Sequence, residues 1–104
     1  MILVLAGTQD GRELAGRLLD AGWPVAASVV SRYGSELLAR YAAKGLVVND
    51  RPLDTAGLAG YIRRQGIRLL VDASHPYAAN ASENAMEACR QQHIPYLRYE
   101  RKGT

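Results

Sequence analysis

Ile2-Leu3-Val4-Leu5-Ala6-Gly7-Thr8-Gln9-Asp10-Gly11-Arg12-Glu13-Leu14-Ala15 is the stretch that decides how this chain folds. Residues 2–6 form an unbroken apolar run without polar alternation, which predicts a strand buried on both faces, as in a parallel sheet. Gly7 stops the run. Beyond it the periodicity changes from strand to helix: within residues 11–21, Leu14, Ala15, Leu18 and Leu19 recur at helical spacing, and Arg12, Glu13, Arg17 and Asp20 take the other positions. Gly22 supplies a C-terminal stop. A buried strand that turns through glycines into an amphipathic helix is the opening unit of a crossover α/β fold.

The same cadence continues downstream. A second strand is expected over 25–30, introduced by Pro24, and a second helix over 35–43, carrying Leu37, Leu38 and Tyr41. Gly45 releases that helix into a short strand over 46–48. Asp54 is expected to N-cap a helix over 55–65 whose Leu58, Tyr61 and Ile62 share a face. A strand over 68–73, a helix over 82–92 and a strand over 96–99 complete the series. Parallel strands need crossovers, so the sequence predicts a Rossmann-like doubly wound α/β sheet of about five strands, order 3-2-1-4-5, with helices on both faces.

A length of 104 residues and 48% apolar content fit a single domain over 1–104. The formal charge of +3 suits an anionic ligand, but Arg and Lys are scattered without a basic face, so no nucleic-acid partner is expected. Cys89 has no intrachain disulfide partner and no His or Cys neighbour at metal-ligand spacing, so it reads as a small core residue on a helix and no metal is expected. The apolar opening is too short to span a bilayer and no cationic segment precedes it, so a cytoplasmic protein without membrane association is expected. Trp23, beside Pro24, reads as core or subunit packing. The chain shows no Ser-His-Asp order, paired-carboxylate site or P-loop lysine, which argues against a hydrolase or kinase.

In such a sheet ligands sit outside the carboxyl ends of the strands, where the order reverses. Here those strands end near Gly7, Ser28 and Ser74. In the first loop, Gly7 permits a tight turn, Gly11 lets the backbone approach a ligand, and the helix N-terminus beside Thr8, Gln9 and Arg12 offers N–H groups and a positive dipole end to a phosphate. The glycine spacing is not G-x-G-x-x-G, so a plain turn with Asp10 capping the helix is the competing reading. In the second loop, Ser31 and Arg32 stand where an acidic residue would hold a ribose, which favours NADPH over NADH; Arg32 as an ordinary solvated loop charge is the alternative. In the third, Ser74-His75-Pro76-Tyr77, His75 could donate or relay a proton and Tyr77 could stack on a flat ring, on a turn stiffened by Pro76. Asn80, Ser82 and Asn84 could bond a ligand or cap the following helix, and His75 could equally be a structural histidine. His93 reads as a surface or packing residue.

Gly-Thr-Gln-Asp-Gly-Arg-Glu-Leu-Ala from Gly7, Ser-Val-Val-Ser-Arg-Tyr-Gly from Ser28, Asp-Ala-Ser-His-Pro-Tyr-Ala from Asp72 and Ile-Pro-Tyr-Leu-Arg-Tyr-Glu-Arg from Ile94 together resemble the precorrin-6A reductase family of cobalamin biosynthesis. Ala6 stands where that family often has another glycine, and Ser74 where threonine is usual. The resemblance implies an NADPH-dependent oxidoreductase, NADH being the alternative donor, that reduces precorrin-6A or its cobalt-containing counterpart to the 6B form. It implies cofactor contacts from Gly7, Thr8, Gln9, Gly11, Arg12, Ser31, Arg32, Ser74 and Pro76, with His75 and Tyr77 on the catalytic side. Family members resemble two Rossmann-like halves enclosing the tetrapyrrole, so this chain is expected to be the N-terminal cofactor-binding half, binding nucleotide but reducing substrate poorly or not at all. The strand over 96–99 would then leave an edge open to homodimerisation. A non-catalytic nucleotide-binding module, or an interaction domain without ligand, are the competing readings.

Overall fold

A computed structural model describes residues 1–30 and 32–100. Their elements run β1 (Ile2–Leu5), α1 (Gln9–Asp20), β2 (Val25–Ser28), α2 (Arg32–Ala42), β3 (Val47–Asn49), α3 (Thr55–Gln65), β4 (Leu69–Asp72), α4 (Ala79–Gln92) and β5 (Tyr96–Arg98). Among the described residues the strands form one sheet, order β3-β2-β1-β4-β5, and every pair is parallel. The expected Rossmann-like architecture is therefore the observed one.

Alternation along the strands sorts the core into two layers. Leu3, Ala26 and Leu70 point to the face covered by Leu58, Ala59 and Ile62 of α3 and Ala85, Ala88 and Cys89 of α4. Val4, Val25, Ala27 and Val71 point the other way, onto Ala15 of α1 and Leu38 of α2. Both faces of the central strands are thus covered, which is why their sequence lacks polar alternation. Cys89 is a buried core residue, as its sequence context suggested. Trp23 is not core: it is 56% exposed. No helix among the described residues is long and apolar enough to cross a membrane.

The helix ends explain where expected boundaries moved. Thr8, not Asp10, caps α1: its backbone is extended (φ −118°, ψ 164°) and its hydroxyl accepts from Gly11 N at 3.1 Å. Asp54 caps α3 as expected, accepting from Gly57 N at 2.7 Å, and Gly66 closes it in the left-handed conformation with φ 65°. α2 begins at Arg32 rather than 35 because Gly34, which reads as a breaker, is a buried member of its first turn. α4 begins at Ala79 rather than 82, after Ala78, which offers no capping side chain and so leaves no start signal. Ser82 and Asn84 consequently lie inside the helix and do not cap it.

Two glycines of the first loop differ in kind. A Cβ on Gly11 would stand 3.0 Å from Ala6 Cα and Ala73 Cβ and 3.2 Å from Leu5 O, so the missing side chain lets the start of α1 rest directly on β1 and β4. A Cβ on Gly7 would meet no protein atom within 4 Å. Gly11→Ala is accordingly expected to destabilise the fold by about 1–3 kcal/mol through overpacking, and Gly7→Ala to leave urea midpoints near native. Equal midpoints for the two variants would contradict this assignment.

Candidate functional site

The strand register lines up Asn49, Ser28, Leu5, Asp72 and Arg98 as one row across the carboxyl edge of the sheet. The loops that leave this row build the site, and β1, whose neighbours are β2 and β4, marks the point where the winding reverses.

The chemistry of the row centres on Asp72, which ends β4 and is completely buried at 0% exposure. Its Oδ1 accepts from Ser74 N at 3.0 Å and Ser74 Oγ at 2.6 Å, and its Oδ2 accepts from Ser82 Oγ at 2.6 Å and from the Tyr96 hydroxyl. Arg98 Nη1 lies 3.1 Å from Oδ1. Burial pushes the Asp72 pKa upward, but the hydrogen bonds from Ser74, Ser82 and Tyr96 outweigh it and hold the carboxyl below its ordinary range. Tyr96 shifts the opposite way, to about 12, because burial and its bond to the carboxylate both favour the protonated phenol. Asp72, Tyr96 and Arg98 carried no assigned role in the sequence reading. Their signal was a single acid ending an otherwise apolar strand, followed on the next strand by a tyrosine and an arginine at alternate positions.

Two clefts open above the row. One, of about 190 Å³, is lined on the α3/α4 side by Leu5, Gly7, Ser28, Leu53, Ser74 and His75, among others. The other, of about 280 Å³, lies on the α1/α2 side between Ala6, Gly7, Arg12 and Tyr33. They share Gly7, Val29 and Val30, so they meet over the first loop, where the empty space at Gly7 lies. The structure therefore brings Gly7, Ser74 and His75 together, with Arg12 on the far side of the shared wall.

The remaining predicted residues are distributed as follows. The Thr8 hydroxyl is committed, donating to Ala73 O at 2.8 Å while accepting from Gly11 N. The close approach at Gly11 is to protein backbone rather than to open space. Gln9 is exposed and donates to Glu13 Oε1 at 3.1 Å. Arg32 opens α2, exposed, instead of lying on a loop, and Ser31 falls outside the described residues. His75, Pro76 and Tyr77 form an exposed turn. Within it His75 Nδ1 accepts from Tyr77 N at 3.1 Å, and the two rings stand 5.1 Å apart, tilted by 42°. Asn84 bonds Thr55 across α3 and α4 at 3.1 Å. His93 is an exposed C-cap in the left-handed conformation, φ 57°.

A family model described as precorrin-6x reductase CbiJ/CobK matches residues 1–104. The chain is 43% identical over 101 residues to a cobalt-precorrin-6A reductase of Priestia megaterium, covering 97% of this chain and 38% of that protein. It is 39% identical over 102 residues to the cobalt-precorrin-6A reductase of Methanocaldococcus jannaschii, covering 97% of the chain and 40% of the relative. A solved structure, CobK precorrin-6A reductase, superposes with a TM-score of 0.79 at 32% identity, covering 99% of this chain and 38% of that one. The chain thus spans about two fifths of the length of the relatives it matches.

The depressed Asp72 pKa fixes the sign of a pH effect. The folded carboxyl holds its charge to lower pH than the unfolded one, so its contribution is present above the unfolded pKa of about 3.9 and is lost as pH falls through the lower folded value. Urea midpoints should fall below about pH 4, and Asp72→Asn should remove about 3 kcal/mol at pH 7 and flatten the acid limb. An Asn variant as stable as the native chain at pH 7 would refute the assignment.

Proposed function

The chain belongs to the precorrin-6x reductase CbiJ/CobK family, and on that premise we propose that it binds a reduced pyridine nucleotide across the two clefts, NADPH in preference to NADH. In this reading it is the cofactor-binding part of an enzyme that reduces precorrin-6A, or cobalt-precorrin-6A, to the 6B form in cobalamin biosynthesis.

The observation that carries this reading is the open space over Gly7, where the two clefts meet beside the N-terminus of α1. A helix start directs N–H groups and the positive end of its dipole outward, which suits a diphosphate, and a side chain at Gly7 would fill the space. Arg12, lining the α1/α2 cleft and also the wider groove between those helices, adds a positive charge on the side expected to take the nucleotide's adenosine end. Arg32 lines neither, so the phosphate preference is assigned to Arg12 first.

When bound, the nucleotide supplies hydride. The chain's own residues supply the setting. Leu5, Val29, Val30, Leu53 and Leu58 give the α3/α4 cleft an apolar wall that keeps water from a flat ring. His75, whose Nδ1 is occupied as an acceptor, carries its neutral-form proton on Nε2 and can offer it at the cleft rim. Tyr77, 91% exposed, presents a ring face against which a planar macrocycle can stack. A tetrapyrrole is larger than the α3/α4 cleft, so its second wall is assigned to the additional length of the relatives, and this chain alone is expected to bind nucleotide while turning over substrate slowly or not at all.

Titration by NADPH fluorescence and calorimetry tests the reading. NADPH should bind more tightly than NADH, and Arg12→Ala should weaken NADPH about tenfold, or about 1.4 kcal/mol, with a smaller effect on NADH. Gly7→Val should weaken both without loss of fold. Absence of binding by either nucleotide at millimolar concentration would remove the proposal.

A further inference from the structure

Ser74 is the residue through which the end of β4 passes into the His75 turn, and the fold grips it at every polar atom. Its N–H and hydroxyl donate to Asp72 Oδ1 at 3.0 and 2.6 Å. Arg98, directly across the β4–β5 ladder from Asp72, donates from Nη1 to the Ser74 hydroxyl at 3.1 Å and from Nη2 to the Ser74 carbonyl at 2.8 Å. The bond from Asp72 to the N–H two residues on would by itself close the corner as an Asx-turn. The carbonyl contact does something more, because that oxygen belongs to the peptide joining Ser74 to His75. Fixing its direction fixes the plane from which the His75 side chain leaves. Both residues line the α3/α4 cleft.

We propose that Asp72 and Arg98 act as positioning residues for this cleft: holding the backbone of Ser74 by its N–H and carbonyl, they set where Ser74 and His75 stand in the wall that meets the nucleotide. The inference rests on the nucleotide-binding reading above. Arg98 suits the task because a planar guanidinium can reach a carboxylate, a hydroxyl and a carbonyl at once, whereas an ammonium is a single point charge. The outer edge of Arg98 is held by Glu100, through Nε at 3.1 Å and Nη2 at 2.8 Å, so the group is fixed from both sides. A wall ordered in advance spares a ligand the cost of ordering it.

Arg98→Lys tests the proposal, because it keeps the positive charge beside Asp72 but cannot span Asp72 and the Ser74 carbonyl together. The expected result is a thermal midpoint within a few degrees of native, NADPH affinity weakened about tenfold, and amide NMR shifts concentrated at residues 74–78. Arg90→Lys, the same exchange at an exposed arginine that pairs with Glu87 on α4, should leave NADPH affinity unchanged. Native NADPH affinity in a folded Arg98→Lys chain overturns the proposal, whether or not the amides move. If the native chain binds no NADPH, the nucleotide reading fails on that control; the amides then decide, and unmoved 74–78 resonances overturn the positioning. Should Arg98→Lys not fold, hydrogen exchange of the native chain decides: a Ser74 N–H exchanging only with global unfolding supports the grip, and exchange at the rate of an open loop refutes it.

Discussion

A carboxylate sealed from water at the end of β4 sets the terms for everything around it. Removing an ion from solvent costs several kcal/mol even after the protein relaxes, so Asp72 is tolerable only because its surroundings donate to it. The donors come from different parts of the chain: the loop after β4 through Ser74, α4 through Ser82, and β5 through Tyr96 and Arg98. Satisfying one buried charge therefore locks together a strand, a helix and the edge strand. The loop carrying His75 leaves from the middle of that knot, so its first residue, Ser74, is tied to a carboxylate that has no opening to the cleft.

The opposite side of the switch point is braced by a smaller device. Thr8 caps α1 with its hydroxyl oxygen and spends the hydroxyl hydrogen on Ala73 O, tying the first loop to the end of β4. Gly11 allows the same helix start to lie against Leu5, Ala6 and Ala73. The two loops flanking the clefts are thus cross-linked beneath the floor, and Gly7 is left above it in open space. Glycines four positions apart in one loop thus differ in their surroundings: a Cβ on Gly11 would press on the protein's own backbone, and one on Gly7 would meet no protein atom within 4 Å.

The architecture was legible because it depends on periodicity. Unbroken apolar runs at 2–6 and 69–71 and the helical spacing after Gly11 report layers directly, and Asp54 announced its helix by a recognised cap. What stayed hidden depended on register or on silent starts. Nothing in the linear sequence states that Asp72 and Arg98 are opposite one another, since that pairing is decided by how β5 slides against β4. Ser82 looked like a cap because the true start at Ala79 has no capping side chain, and the helix placed its hydroxyl on Asp72 instead. Gly34 concealed the first turn of α2 in the same way, and so Arg32 was expected on a loop. The His-Pro-Tyr turn was visible as a motif, and its distance from the first glycine loop closes only through the parallel pairing of β1 with β4.

Cys89 adds a practical property to this architecture. It lies 2% exposed on the sheet-facing side of α4, and burial, reinforced by the negative charge of Asp72, raises its thiol to about 11. Electrophiles react with thiolate, of which almost none exists here near neutral pH, and the packed helix blocks their approach. The native thiol is therefore expected to react slowly with maleimides and mild oxidants while α4 stays packed on the sheet. A fluorophore or spin label can be attached at a newly introduced surface cysteine with the core left unaltered.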